Sequence, residues 1–278
     1  MQVYKTTNGI VIVRDGQCYA ASENNWDLFI NRDHLHALLL EETAGQPALG
    51  GFDWLGQQQI LAPVGNQEVW AAGVTYLRSK AARMEESKES GASVFYDKVY
   101  DAPRPELFFK GVGPRVIGPG GYVRIRKDSA WNVPEPELTL VVTSSSKIVG
   151  YAIGNDMSSR DIEGENPLYL PQAKVYDGSA ALGPCVLVPN EPLPGSTTIA
   201  MEIEREGKLL FSGSTTIDRM KRSHTELVEF LFREYSHPHG CYLMTGTCVV
   251  PENDFTLQSG DRVTIRIDGI GTLINTVA

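Results

Sequence analysis

The spacing of hydrophobic and polar positions changes near residue 64. Before it, the apolar runs GIVIV and CYAAS flank the dipeptide Asp15-Gly16, which is typical of a tight hairpin turn. A helix is predicted from Trp26 to about Glu42 because apolar residues recur there at helical spacing, and Gly45 is a suitable stop. Residues 1–64 therefore predict a small N-terminal α+β domain.

Beyond the junction at Pro63 to Asn66, short strand-like runs alternate with turns rich in Gly, Pro, Ser and Asp. The runs are EVWAAGV, PELFFK, YVRIRK, ELTLVV, IVGYAIG, CVLVP, IAMEIER, RVTIRI and TLINTV. Two helices are predicted to interrupt them, near Leu77 to Ser90 and near Asp218 to Tyr235. Residues 78–100 form either a lid over an active site or a solvated helix and loop. Residues 65–278 thus predict a larger, mostly β domain, and the whole chain an α+β fold.

Composition agrees with a globular protein, since 42% of the residues are hydrophobic and 21% are charged. No run approaches the roughly 18 apolar residues of a membrane span, and the N-terminus lacks the features of a signal peptide, so a cytoplasmic location is expected. The four cysteines form neither a CxxC motif nor a Cys/His cluster, which indicates reduced packing thiols.

The formal net charge is −9, which argues against nucleic acid as a partner because phosphate binding depends on clustered Lys and Arg. An acidic protein can still bind an anionic metabolite. It then needs a metal ion or a few local cations to reverse the field inside the pocket.

The run PEPEL, followed by TLVVTSSSKIVGYAIGNDMSSRD, carries the clearest chemistry. On a strand, side chains two apart share a face, so Glu135 and Glu137 point the same way. TSSSK is a turn, and the returning strand ends at Asp156 near the start of the first. Three converging carboxylates predict a site for a hard divalent cation, Mg²⁺ or Mn²⁺. The alternative is that Glu135 and Glu137 lie on an exposed strand edge.

Several motifs in order resemble the fumarylacetoacetate hydrolase superfamily across roughly residues 66 to 278. They are RPELFFK, the ExE strand, GYAIGNDMSSRD, the lysine of QAKVYDG, LGP, TGT and GDRVTIRIDGIGTLIN. YDKVYDAPRPELFFK, WNVPEPEL and DIEGENPLYLPQAKVYDG look closest to the members that dehydrate 2-keto-3-deoxy sugar acids. The resemblance implies a catalytic domain with a mixed, rolled β-sheet, and a homodimer or higher homo-oligomer.

The resemblance also assigns residues. It makes Glu135, Glu137 and Asp156 the metal ligands, in agreement with the strand argument. It implies that Glu106 in RPELFFK and Lys174 in QAKVYDG are catalytic, and that two further residues lie near the substrate, Arg160 and Thr247. The alternatives remain open: a solvent-exposed carboxylate at Glu106, a surface lysine at Lys174, a structural Arg160–Asp161 pair and a turn hydroxyl at Thr247.

One departure from the family pattern concerns water activation. Members that hydrolyse carbon–carbon bonds typically use a histidine in the segment aligned with TYLRSKAARMEE, yet this chain has no histidine between His36 and His224. Thr75 stands where some members place an additional acidic ligand. Without the tunable imidazole, hydrolysis is disfavoured.

The functional expectation is a Mg²⁺-dependent hydro-lyase that acts on a small 2-oxo acid. A 2-keto-3-deoxy sugar acid such as 2-keto-3-deoxy-D-arabinonate would lose water through a metal-stabilised enolate and give 2,5-dioxopentanoate. The alternatives are an acylpyruvate or β-diketone hydrolase, an oxaloacetate decarboxylase or tautomerase, and a catalytically silent metabolite-binding protein.

Overall fold

β-Strands make up most of the secondary structure in this computed structural model, which describes residues 1–77 and 98–278. The strands are β1 (Gln2–Thr6), β2 (Gly9–Arg14), β3 (Gln17–Ala20), β4 (Glu68–Gly73), β5 (Glu106–Val112), β6 (Tyr122–Val123), β7 (Asn132–Val133), β8 (Pro136–Val142), β9 (Ile148–Asp156), β10 (Ser158–Ser159), β11 (Ala180–Leu187), β12 (Thr198–Arg205), β13 (Lys208–Thr216), β14 (Cys241–Met244), β15 (Arg262–Ile267) and β16 (Gly271–Val277). The α-helices are α1 (Trp26–Ile30), α2 (Leu35–Thr43), α3 (Phe52–Leu55), α4 (Arg160–Glu165), α5 (Leu170–Lys174) and α6 (His224–Leu231). The expected α+β fold is confirmed.

The described part of the chain contains three sheets, one of which is only the two-stranded pair β10-β7. A large mixed sheet has the order β3-β2-β1-β11-β9-β8-β14-β4-β5, and a smaller one has the order β13-β12-β15-β16-β6. In the large sheet β14 pairs with β4 in parallel and with β8 antiparallel, so β8 lies in its interior. All seven residues of β8 are buried, which explains why this strand reads as a nearly continuous apolar run after Glu137.

The hydrophobic core fills both faces of the large sheet. On one face, Leu138 and Leu140 belong to the same buried cluster as Met201 and Ile265 of the small sheet. On the other face, helices α1 and α2 contribute the buried residues Phe29, Leu35 and Leu39 to a second cluster with Tyr242. Strands β8 and β9 are therefore held between the small sheet and the N-terminal helices.

The N-terminal region joins the large sheet directly. Strand β1 pairs antiparallel with β11, so the hairpin β1–β2 extends the sheet that contains β8 and β9. The predicted turn at Asp15-Gly16 is present, with both residues at positive φ between β2 and β3. The division into domains at residues 1–64 and 65–278 stays a prediction, and the structure adds that the two regions share one sheet.

The helix predicted from Trp26 to Glu42 is divided into α1 and α2. Between them, Asn31 accepts a hydrogen bond from the Ser144 amide at 2.7 Å, and Asp33 accepts one from the Ser145 hydroxyl at 2.6 Å. His34 then takes a left-handed conformation with φ of 57°. These polar side chains bond the turn between β8 and β9, which interrupts the helix.

The other predicted helices differ in length or fall elsewhere. The helix predicted at 218–235 is shorter, since a 3₁₀ turn at Ile217–Arg219 precedes α6. The helix predicted at 77–90 and the lid predicted at 78–100 lie almost entirely outside the described residues. The four cysteines are buried free thiols, as predicted. Within 1–77 and 98–278, no helix has both the length and the apolar character needed to cross a membrane.

Candidate metal centre and active site

The antiparallel pair β8 and β9 brings three carboxylates together. Glu137 lies on β8 opposite Gly154 of β9, and the Asp156 amide donates to the Glu135 carbonyl at 2.9 Å. One carboxylate oxygen from each of Glu135, Glu137 and Asp156 lies within 4.8 Å of the others. Their exposed fractions are 5%, 1% and 1%, so the exposed-edge alternative is wrong.

These carboxylates suit a hard divalent cation. Each offers oxygen only, which is the donor type that Mg²⁺ and Mn²⁺ prefer. Burial, together with repulsion from Asp156 and Glu135, raises the pKa of Glu137 well above its usual value. A bound cation relieves this repulsion, so the donor set fits the expected Mg²⁺.

Lys174 contacts two of the three carboxylates. It ends α5 and is fully buried, and its Nζ donates to Glu135 Oε2 at 2.9 Å, to Asp156 Oδ2 at 3.2 Å and to the Ser158 hydroxyl at 2.6 Å. The alternative of a surface lysine is therefore wrong. Its place beside the carboxylates agrees with the predicted active-site role, which stays a prediction.

Lys110 is a second buried lysine at this centre, and sequence reasoning missed it. Its Nζ lies 2.5 Å from Asp156 Oδ1 and also donates to the carbonyls of Met157, at 2.9 Å, and of Lys174. Burial lowers the pKa of Lys110, and the attraction of Asp156 partly offsets the effect. Pairing between β4 and β5 shifts register between Val69 and Trp70, which leaves Lys110 as the extra residue of a β-bulge.

Arg160 and Glu163 extend the buried charge network from α4. Arg160 Nη2 donates to Glu135 Oε1 at 2.7 Å, while Asp161 accepts hydrogen bonds from the Ser129 hydroxyl and the Ala130 amide. Glu163 is 1% exposed, and its Oε1 atom lies 3.8 Å from Lys174 Nζ. The polar segment DIEGEN around Glu163 did not predict this burial. Arg160 is therefore in place beside the carboxylates, and its contact with substrate stays a prediction.

Glu106 approaches the centre from β5. It pairs with Gly73 of β4, and its carboxylate packs so closely over Gly73 that a Cβ there would clash with it. The Glu106 Oε2 atom is buried, so this side chain is more than an acid in open solvent. Gly73 lines the same cavity as the three carboxylates, and the catalytic role of Glu106 stays a prediction.

The TGT loop, residues 245–247, closes the other side of the cavity. The Gly246 amide donates to Glu137 Oε2 at 2.5 Å, and the Thr245 hydroxyl donates to the Leu138 carbonyl at 2.9 Å. Thr247 lines the cavity, where its hydroxyl also accepts the Val249 amide at 3.2 Å. Substrate contact by Thr247 stays a prediction.

The described lining of this cavity offers carboxylates, cations and hydroxyl groups, and no imidazole. The lining consists of Ala72, Gly73, Val74, Phe108, Glu135, Glu137, Asp156, Arg160, Lys174, Gly246, Thr247, Cys248 and Val250. All five histidines of the chain lie in the described residues, and none of them belongs to this set. The arrangement is equipped to hold a cation and to move protons through carboxyl and amino groups.

Comparison with known proteins identifies similar sequences that align with most of this chain. The model of the fumarylacetoacetate (FAA) hydrolase C-terminal family matches residues 69–278. A probable 2-keto-3-deoxyxylonate dehydratase of Haloferax volcanii is 50% identical over 216 residues, which cover 77% of this chain and 73% of the relative. A 2-dehydro-3-deoxy-D-arabinonate dehydratase of Saccharolobus solfataricus is 39% identical over 276 residues, 93% of this chain and 91% of the relative.

A solved structure extends the likeness to three dimensions. The structure of 2-keto-3-deoxy-D-arabinonate dehydratase complexed with magnesium and 2,5-dioxopentanoate superposes with a TM-score of 0.81 at 34% identity. The match covers 100% of this chain and 98% of that chain. Since the family match spans most of the sequence and the relatives align over most of their own length, the chain belongs to the fumarylacetoacetate hydrolase family.

Proposed function

We propose that this protein is a Mg²⁺-dependent dehydratase of 2-keto-3-deoxy sugar acids, with 2-keto-3-deoxy-D-arabinonate as a substrate and 2,5-dioxopentanoate as its product. The observation that carries the proposal is the buried set Glu135, Glu137 and Asp156 with Lys174 on two of its members. The relatives at 50% and 39% identity are named as dehydratases, whereas an oxaloacetate tautomerase of Bacillus subtilis is only 28% identical, and a solved neighbour was obtained with magnesium and this product.

The chemistry requires loss of a proton from C3 and of the hydroxyl from C4, which leave together as water and give 5-hydroxy-2-oxopent-3-enoate. Tautomerisation, which moves a proton from C5 to C3 and the C5 hydroxyl proton to C4, then gives 2,5-dioxopentanoate. A Mg²⁺ ion held by Glu135, Glu137 and Asp156 would polarise the 2-oxo group and make the C3 proton more acidic. Every other step falls to side chains. We assign the proton for the leaving hydroxyl to Glu106 and the proton transfer at C3 to Lys174.

Lys174 is positioned by Glu135, Asp156 and the Ser158 hydroxyl, so its Nζ is fixed at the edge of the metal centre. Arg160 supplies a second cation through its contact with Glu135. These two cations and the Thr247 hydroxyl line the cavity, where they favour an anionic 2-oxo acid although the net charge of the chain is −9.

A parallel assay tests the proposal against its rivals. The purified protein is incubated with a 2-keto-3-deoxy pentonate, an acylpyruvate and oxaloacetate, each with Mg²⁺ and with EDTA. We expect turnover of the sugar acid alone, and only with Mg²⁺. Preferred turnover of the acylpyruvate or of oxaloacetate would contradict the dehydratase, and thermal stabilisation without any turnover would identify a silent binding protein.

The Glu106→Gln variant separates chemistry from metal binding. Loss of a general acid typically costs 10²–10⁴-fold in rate, so kcat is expected to fall by about 100-fold or more. Mn²⁺ affinity is expected to remain, because Glu106 lies outside the carboxylate cluster.

We also propose a homodimer or higher homo-oligomer and a cytoplasmic location, which follow from the family resemblance and the sequence features. Light scattering of the purified protein at several concentrations measures the assembly. A mass that matches a single 30.5 kDa chain at every concentration would contradict the homo-oligomer.

A further inference from the structure

Thr75 is a buried threonine that joins two segments of the active-site wall. It follows β4 closely and is fully buried. Its hydroxyl donates to the Thr245 carbonyl at 2.7 Å, and its own carbonyl accepts the Lys221 amide at 2.9 Å. The Thr75 hydroxyl therefore binds the TGT loop, at the position where some family members place an acidic ligand.

The TGT loop in turn orients a carboxylate of the metal centre. The Gly246 amide, one residue beyond the anchored Thr245 carbonyl, donates to Glu137 Oε2 at 2.5 Å. Gly246 has φ of 92°, and a Cβ at this position would clash with Thr75 Oγ1 and lie 2.9 Å from the Ala72 carbonyl oxygen. Because Gly246 has no Cβ, the TGT loop can contact the segment that carries Thr75, next to the hydrogen bond from the Thr75 hydroxyl.

Val74, the neighbour of Thr75, carries backbone strain. It is a β-branched residue with φ of 52°, it is 5% exposed, and it lines the same cavity as Glu137. Such a conformation persists only when the surrounding structure over-determines it. The two hydrogen bonds of Thr75 supply part of that constraint on the side that follows Val74.

We propose that Thr75 is a positioning residue of the metal centre, whose hydroxyl holds the TGT loop so that the Gly246 amide fixes the orientation of Glu137. This inference rests on the proposed function, since it takes Glu137 as a metal ligand. Groups that orient the ligands of a metal typically govern its affinity as well as the activity.

The test compares a substitution that removes the hydroxyl group with one that keeps it. Thr75→Val removes the donor at nearly constant volume, and Thr75→Ser keeps it. Thr139→Val is the matched control, because Thr139 lies on β8 two residues after Glu137, is fully buried, and its hydroxyl has no hydrogen-bond partner among the described residues. Mn²⁺ binding to the metal-free full-length protein is measured by electron paramagnetic resonance, and folding by circular dichroism.

Loss of a group that orients a ligand typically weakens metal binding 10–100-fold, so we expect about tenfold weaker Mn²⁺ binding by Thr75→Val and little change in Thr75→Ser and Thr139→Val. The KM for the sugar acid with saturating Mg²⁺ should change less than the Mn²⁺ affinity does. If Thr75→Val does not fold, Thr75→Ala removes the same hydroxyl without adding volume and takes its place.

Three results would overturn the inference. Mn²⁺ affinity of Thr75→Val or Thr75→Ala equal to that of the unmodified protein would show that the hydroxyl does not act on the centre. Equal weakening in Thr75→Ser, which keeps the hydroxyl, would assign the effect to altered packing at residue 75 and not to the hydroxyl. The third result is unchanged Mn²⁺ binding by Glu137→Gln. It would show that Glu137 is not a metal ligand, and it would contradict the proposed function as well.

Discussion

Lys110 Nζ lies 2.5 Å from Asp156 Oδ1, and neither side chain has more than 1% of its surface exposed. The same lysine also donates to the carbonyls of Met157 and Lys174. One side chain thus connects β5, the end of β9 and the helix that carries Lys174. Its cation offsets part of the negative charge that Glu135, Glu137 and Asp156 concentrate in a small volume.

The substitution Lys110→Met should strongly destabilise the protein. Removing one partner of a buried ion pair typically costs 3–5 kcal/mol. Lys174 still contacts Asp156 in this variant, so we expect the lower end of that range, a loss of about 3 kcal/mol in the free energy of unfolding. Urea unfolding of the metal-free protein measures it. Lys208→Met is the control, since Lys208 is exposed on β13 and such surface changes usually stay within about 0.5 kcal/mol. Equal stability of the two variants would contradict the structural role of Lys110.

Gly73→Ala tests the place of Glu106. A Cβ at residue 73 would lie 2.6 Å from the Glu106 carboxyl carbon, so the carboxylate must move. Because a displacement of about 1 Å can cost a factor of about 100 in rate, kcat should fall by roughly that factor. Gly111→Ala on β5, the strand that carries Glu106, is the control, because no atom lies within 4 Å of its Cβ position. Turnover by Gly73→Ala at the rate of the Gly111→Ala variant would exclude a catalytic position for Glu106.

The Asp27 carboxylate is expected to stabilise the folded protein in a pH-dependent way, through the contact between α1 and the segment before β4. Burial alone would raise its pKa, yet hydrogen bonds from the Asn66 amide, the Asn66 side chain and the Gln67 side chain hold the pKa below its usual value. Because the pKa is lower in the folded state, the stabilisation is present above the unfolded value of about 3.9 and is lost as pH falls through the folded value.

The variant Asp27→Asn should therefore be less stable than the unmodified protein at neutral pH, by about 1–3 kcal/mol, since partners of a buried charged acceptor are left with weaker bonds. The difference should shrink as pH falls below about 4. Chemical unfolding of both proteins over a pH series measures it. A difference that stays constant across the series would show that the charge of Asp27 is not what stabilises the contact.

The sequence predicted the part of the site that depends on regular strand geometry. Glu135, Glu137 and Asp156 follow from side-chain alternation on β8 and from the antiparallel return of β9, both of which are local properties. Lys110 could not be found in this way. Its burial depends on a bulge opposite Val69 and Trp70, which changes the alternation without leaving a mark in the hydrophobic pattern.

The same distinction applies to the fold. The turn at Asp15-Gly16 was predictable because its residue types favour positive φ. The break between α1 and α2 was not, because Asn31 and Asp33 bond Ser144 and Ser145 more than a hundred positions later in the chain. Pairing of β1 with β11 likewise connects residues far apart in sequence, which single-strand patterns do not encode.

Mg²⁺-dependent dehydration is measured most directly by following 2-keto-3-deoxy-D-arabinonate by NMR while Mg²⁺ is titrated into the metal-free protein. We expect the rate of 2,5-dioxopentanoate formation to rise in proportion to the bound metal, EDTA to stop the reaction, and Glu137→Gln to form no product. Product formed without any divalent cation, or no product at saturating Mg²⁺, would contradict this expectation.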